Sequence, residues 1–261
     1  MRCNLKCFIF ITFALFATIG TLQSQNVSDS LKNAGFKKDT LNPIQLKSTV
    51  TVTNNGISMI PTFSIGKPAV IFDIAAKGKR LSFEPQLRFA LEGKPWSFIF
   101  WWRYKLYNDS KWSISVGAHP AITFKNQITN INGINQEQLV GYRYLAGELA
   151  PNYKISKNAT IGLYYMFSKN IETLGIKNNT YFTFNANITQ IHLTDDIFVR
   201  CTPQVYYLKM DDLDGFYTSA ITYISKKNCS LSISFLLNKA IDTRINTNEL
   251  FKWNASIIYS H

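Results

Sequence analysis

The chain has 261 residues, of which 46% are hydrophobic and 14% aromatic, and its formal charge is +12. Past residue 22 no stretch approaches the roughly 20 apolar residues that a membrane helix needs, so if the chain crosses a membrane it must do so with strands. A basic balance can serve nucleic acid, but an exported chain rarely meets any, and lipopolysaccharide or an anionic solute is the better-matched partner.

Residues 1–24 read as a signal peptide. Arg2 and Lys6 supply the positive start, and Phe8 to Ile19 is an apolar run too short to make a convincing span. Cys3 and Cys7 precede or open that run, whereas a lipidated cysteine should follow it. Cleavage near Ser24 leaves 26 basic against 16 acidic residues, or +10. Residues 25–43 are polar, end in Asn42-Pro43, and read as a flexible periplasmic leader. Residues 44–261 then form the barrel domain. Only Cys201 and Cys229 survive export, too few for a disulfide framework, and both are expected on the outer face two strands apart.

From about Ile44 the apolar period is two, the signature of strands with one apolar and one polar face. Leu81, Phe83, Pro85, Leu87 and Phe89 alternate with Ser82, Glu84, Gln86 and Arg88. Across Glu92-Gly93-Lys94-Pro95, Trp96, Phe98, Phe100 and Trp102 alternate with Ser97, Ile99, Trp101 and Arg103. The pattern recurs from Trp112 to Phe124, from Ile161 to Phe167, from Phe182 to Ile188, from Val199 to Tyr207, from Leu231 to Leu237 and from Phe251 to Tyr259. Connections at 77–80, 108–111, 156–158, 193–196 and 226–228 are short. Those at 125–137, 170–178, 209–214 and 239–249 are longer, with 92–95 a short exception. Short turns at one rim and longer loops at the other are the pattern of bacterial outer-membrane barrels.

Ten strands run from Arg80 to the C-terminus. Both ends should be periplasmic, so the total is even and 44–76 supplies two more. Either 57–65 pairs with 69–76, or 44–53 is the first strand and 54–68 an irregular outer loop or lumen insert. The first option is preferred, because Ile57, Met59, Phe63 and Ile65 alternate more cleanly. The fold class is thus an all-β, antiparallel transmembrane β-barrel of about twelve strands. Trp96, Tyr107, Trp112, Tyr153, Tyr217, Trp253 and Tyr259 fall at strand ends and are expected in the aromatic girdles.

Gly66-Lys67-Pro68-Ala69, Ser82-Phe83-Glu84-Pro85, Glu92-Gly93-Lys94-Pro95-Trp96-Ser97-Phe98 and Phe100-Trp101-Trp102-Arg103-Tyr104 resemble an uncharacterised group of Bacteroidetes outer-membrane barrel proteins. The motif-like part covers residues 66–104. The resemblance implies a fold and a location, and it brings no catalytic residues with it. Asp29-Ser30-Leu31 and Asp39-Thr40-Leu41 are similar to the O-glycosylation triplets of exported proteins from the same phylum.

Inward charges need partners or water. Asp73, Glu84 and Arg103 fall on three successive strands at similar heights and are expected to pair, with Lys105 and Arg200 near the same level. Arg88, His119 and Glu148 should form a second layer. The network is read first as packing of a narrow lumen and second as a selectivity-setting ring. Catalysis is not expected. The histidines are His119, His192 and His261, and His119-Pro120-Ala121 lacks the His-x-Ser element of outer-membrane phospholipases. No metal or cofactor is expected either. Asp211-Asp212-Leu213-Asp214-Gly215 faintly resembles a Ca²⁺ loop, but the twelfth position is Thr222 where such a loop needs a glutamate, so it reads as a solvated turn. The leading function is a narrow passive channel for small solutes. The alternatives are a plugged barrel presenting its outer loops to a partner or to lipopolysaccharide, and a membrane-embedded enzyme.

Overall fold

The computed structural model describes residues 44–261 except 59, 61, 62, 132, 133, 246 and 248, and not the side chains of 129–131 and 134. The expected signal peptide and leader lie outside the described residues, as do the two triplets in the leader.

Twelve antiparallel strands follow one another around a closed barrel. They are β1 (Gln45–Thr53), β2 (Ala69–Lys77), β3 (Leu81–Ala90), β4 (Pro95–Asn108), β5 (Trp112–Ile131), β6 (Ile134–Lys154), β7 (Ala159–Asn170), β8 (Asn178–His192), β9 (Ile197–Met210), β10 (Leu213–Lys226), β11 (Leu231–Thr243) and β12 (Phe251–Ser260). Pairing of β1 with β12, from Thr49↔Ser260 to Thr53↔Ser256, closes the sheet. Closure leaves no edge with unpaired backbone groups, a requirement for any sheet that crosses lipid.

Alternation sorts the side chains. Phe235, Ile233 and Leu237 of β11 point out and are about half exposed, while Ser234 and Asn238 point in and are buried. Trp102, Leu163, Phe184, Val205, Trp253 and Ile257 extend the same outward surface around the barrel. An apolar belt on this scale is unfavourable in water and is satisfied by lipid tails.

The first strand is Gln45–Thr53, not the preferred 57–65. Its threonines and valines favour a pleated strand, and it already pairs along its whole length with β2. Residues 54–68 leave the wall instead. Gly56 anchors the departure through its N–H to Lys67 O, and it accepts from Ile65 N–H on the return. A Cβ on Gly56 would lie 2.3 Å from the Ile65 side chain, so the close approach needs glycine.

Two expected loops are also absent. Region 125–137 continues β5 and β6 as one hairpin, paired from Trp112↔Tyr153 to Ile131↔Ile134. The connection at 209–214 is a tight turn, with Asp211 at φ 51°. The polar runs Lys125–Gln127 and Asn135–Gln138 had no apolar face to reveal the strand continuation. At the other rim the connections are short, as expected.

Candidate functional site: the lumen

A bulge carries one aromatic into the lumen. Between Arg88↔Ser97 and Phe89↔Pro95 the register shifts by one residue, and Trp96 is the extra one. It turns inward, is 3% exposed, and its indole Nε1 donates to Phe63 O at 2.6 Å. Tyr217 is buried inside by plain alternation, in phase with Gly215 and Ser219 on β10, while the bulge opposite it has Ile241 of β11 as its extra residue. Both residues were expected in the girdles and neither is there. Tyr107, Trp112, Trp253 and Tyr259 are exposed, and Tyr153 packs on Trp112 with ring centroids 4.9 Å apart. Cys229 lies in the turn after β10, not on the outer face; it and Cys201 are free.

The half of the lumen nearer the longer loops is packed. Ile60 from the 54–68 insert joins Tyr181, Leu208, Met210, Tyr206, Tyr217 and Ile245 in one buried apolar cluster. Tyr206 and Tyr217 stack with centroids 4.9 Å apart. Their hydroxyls are satisfied, Tyr206 by Asn238 and Tyr217 by Thr243. Phe63 covers the neighbouring sector edge-on to Tyr144, 5.3 Å between centroids. Below this cap lies a cavity of about 390 Å³.

The charged layer forms the far wall of that cavity. Arg103 on β4 donates from Nη1 to Glu84 Oε2 at 2.6 Å and from Nε to Glu148 Oε1 at 2.6 Å. Glu148 also accepts from the Tyr164 hydroxyl at 2.7 Å, and Lys77 stands 3.3 Å from Glu84. The Glu148 side chain is only 1% exposed, so the fork of Arg103 is what neutralises it. Glu148 and Arg103 are two strands apart, and the residue between them in register is Gly117. A Cβ at Gly117 would lie 2.6 Å from Glu148 Oε1. The missing side chain is the space through which the carboxylate reaches the guanidinium.

The two expected layers are therefore rearranged. Glu148 sits with Arg103 and Glu84 rather than with Arg88 and His119. Asp73 does not join them: opposite Gln86 and Thr49 in register, it accepts from both. Strand stagger, invisible when heights are counted from the turns, moved it one inward position away. Lys105 is exposed, and Arg200 lies over the Tyr223 ring at 4.0 Å, apart from the cluster. Arg88 covers the Trp96 ring at 5.0 Å, and its Nε is buried without a hydrogen-bond partner. His119 is 7% exposed, packs against Trp101 with centroids 3.9 Å apart, and has no partner for Nδ1. A base in a hydrolytic triad needs a third group orienting that nitrogen. Gly117 and Tyr164 were not singled out from the sequence, and the lumen insert at 54–68 was the less favoured of two options. A glycine in the middle of an alternating strand was the one available signal for the first.

At the loop rim the acidic run is structural. Asp211 accepts from the backbone N–H groups of Lys177 and Asn178, and Asp214 pairs with Arg244 at 2.6 Å. Among the described residues no group of three or more His, Cys, Asp or Glu could hold a metal ion.

Fold and site together define a closed, twelve-stranded transmembrane β-barrel with a partly filled lumen. Solved structures of outer-membrane barrels share this architecture. The KdgM porin in complex with disordered oligogalacturonate superposes with a TM-score of 0.51 at 10% identity, over 82% of this chain and 99% of that one. LpxR from Salmonella typhimurium gives 0.48 at 9% identity, over 82% and 99%. The outer-membrane channel DcaP of Acinetobacter baumannii gives 0.36 at 9% identity, over 87% and 99%. No family model matches the chain, and no curated protein matches it. At such identities the likeness is one of fold.

Proposed function

We propose that this chain is exported behind a cleaved signal peptide to the outer membrane of a Gram-negative bacterium, and that it works there as a plugged barrel rather than an open pore. The short turns and both strand ends face the periplasm, and the longer connections face outward. The single observation carrying the reading is the apolar cluster around Ile60, which fills the outward half of the lumen where a passive channel needs a continuous water path. No catalytic role is assigned. The +10 charge left after signal-peptide removal favours contact with anionic lipopolysaccharide at the outer surface.

A second reading, a narrow solute channel opened by displacement of the 54–68 insert, is favoured by the cavity beneath the cap. One experiment separates the two. In planar bilayers the wild-type barrel should show no steady conductance, and replacing residues 57–65 with a flexible Gly-Ser linker should produce one. Heat-modifiable migration in detergent gels would verify that the variant folds. Steady wild-type conductance, unaltered by the linker, would overturn the plugged reading in favour of the channel.

A further inference from the structure

The cavity under the cap is lined by groups in two states. Most of its polar residues are already saturated by the wall: Arg103 by Glu84 and Glu148, Tyr164 by Glu148, Gln86 by Asp73, and Gln204 by Ser219. Two are not. Arg88 has no acid within ion-pair distance, Asp73 acts on it only at longer range, and its buried Nε lacks a partner. His119, 93% buried by its 7% exposure, lines the same cavity with Nδ1 unpartnered. A buried donor without an acceptor costs free energy, which a group that supplies the acceptor recovers.

The charge around this end points one way. Lys125 lies over the Phe63 ring at 5.5 Å, so Arg88 and Lys125 flank the cap with Asp73 as the nearby acid. The lining also holds aromatic and aliphatic groups, Phe63, Ile99, Trp101 and Tyr144 among them, beside small polar residues such as Thr123 and Ser168. A cavity of about 390 Å³ falls within the roughly 300–1,000 Å³ span of small-molecule pockets, which pair an apolar wall with a few convergent polar groups.

We infer that this cavity is a binding site for a small aromatic monocarboxylate. The carboxylate is received by Arg88, and the ring lies among Phe63, Ile99 and Tyr144. An anion supplies the acceptor that Arg88 lacks, and the aromatic wall selects a flat apolar body over a hydrated inorganic ion. The inference deepens the plugged-barrel reading, because a capped lumen holds a ligand where an open one passes it.

The test uses the chain purified from membranes in detergent and followed by fluorine NMR. The probes are para-fluorophenylacetate and its neutral analogue of the same shape, para-fluorophenylacetamide. Saturable binding of the carboxylate is expected, with the amide weaker by about tenfold or more, the loss that removal of a charge-assisted hydrogen bond brings. Arg88→Gln should weaken the carboxylate by a similar factor and leave the amide unchanged, and Arg88→Lys should restore part of the affinity. Equal binding of the two probes indicates partition into detergent and overturns the site, as does an Arg88→Gln barrel that binds the carboxylate normally. Should Arg88→Gln fail to fold, the contrast between probes on the unaltered barrel decides. Conductance is measured separately, so a conducting wild type that still binds the carboxylate would remove the plug reading and keep the site.

Discussion

Arg103 carries two acids at once, and they are not equivalent. Glu84 shares Lys77 and is partly exposed, whereas Glu148 is closed off and held only by Arg103 and the Tyr164 hydroxyl. Removing Arg103 strands a buried carboxylate, a loss of about 3–5 kcal/mol. Arg103→Ala should therefore lower the melting temperature in detergent far more than Glu84→Gln, which leaves the Arg103–Glu148 fork intact. Adding Glu148→Gln to Arg103→Ala should recover part of the loss, since the stranded charge is gone. Equal melting of all three variants with wild type would show the layer to be solvated. Of this cluster the residue types were readable: single charges on polar faces of adjacent strands. The partners were not, because Glu148 reaches Arg103 over Gly117 and nothing local to either residue states that their strands stand in that register.

At the level of elements, the turns are built from local chemistry and behave as such. The turn between β4 and β5 is fixed by Asp109, whose carboxylate accepts from the N–H groups of Lys111 and Trp112 at 2.7 and 2.6 Å and from the Tyr107 hydroxyl at 2.6 Å. These bonds, the Trp112 N–H first, hold the Asp109 carboxyl below its ordinary value of 3.8. A depressed acid stabilises the turn at pH above its ordinary value and loses that contribution as pH falls through the folded value. Amide exchange at Trp112 should thus be slow at neutral pH and lose protection below about pH 3.8 relative to neighbouring strand amides. In Asp109→Ala the protection should be lower at neutral pH already, and an exchange profile insensitive to both changes would dismiss the cap. This turn was legible, since Asn108-Asp109-Ser110 is turn composition between two alternating runs. The 54–68 insert was legible only as one of two options. Its own alternation is that of a strand, and the deciding fact is that β1 already occupies the place beside β2.

For the whole molecule, the outward surface requires only apolar character, not complementarity, because lipid adapts to any shape. Phe235 sits in the middle of β11, paired with Thr222 and Ala255, and is 42% exposed. Phe235→Arg should impair assembly by about 2–4 kcal/mol if the site lies near the bilayer midplane, while Phe235→Leu should be close to neutral. Folding yield into lipid vesicles checks both. Comparable damage from arginine and leucine would mean the ring fills a packed protein interior and not a lipid-facing wall.

The sequence by itself determined that there are about twelve strands and which face most of their residues take, because alternation is a local property and the difference between lipid and lumen is written at every second residue. It also determined the short turns, whose Asx and glycine chemistry acts over three or four positions. Only the tertiary structure decided what fills the lumen. A single extra residue at Trp96 moves an aromatic ring from the outer surface to the core, and stagger between strands chooses which charges meet. Both are consequences of closing the sheet on itself, where the register of every pair must suit all the others, and no window of the chain contains that condition.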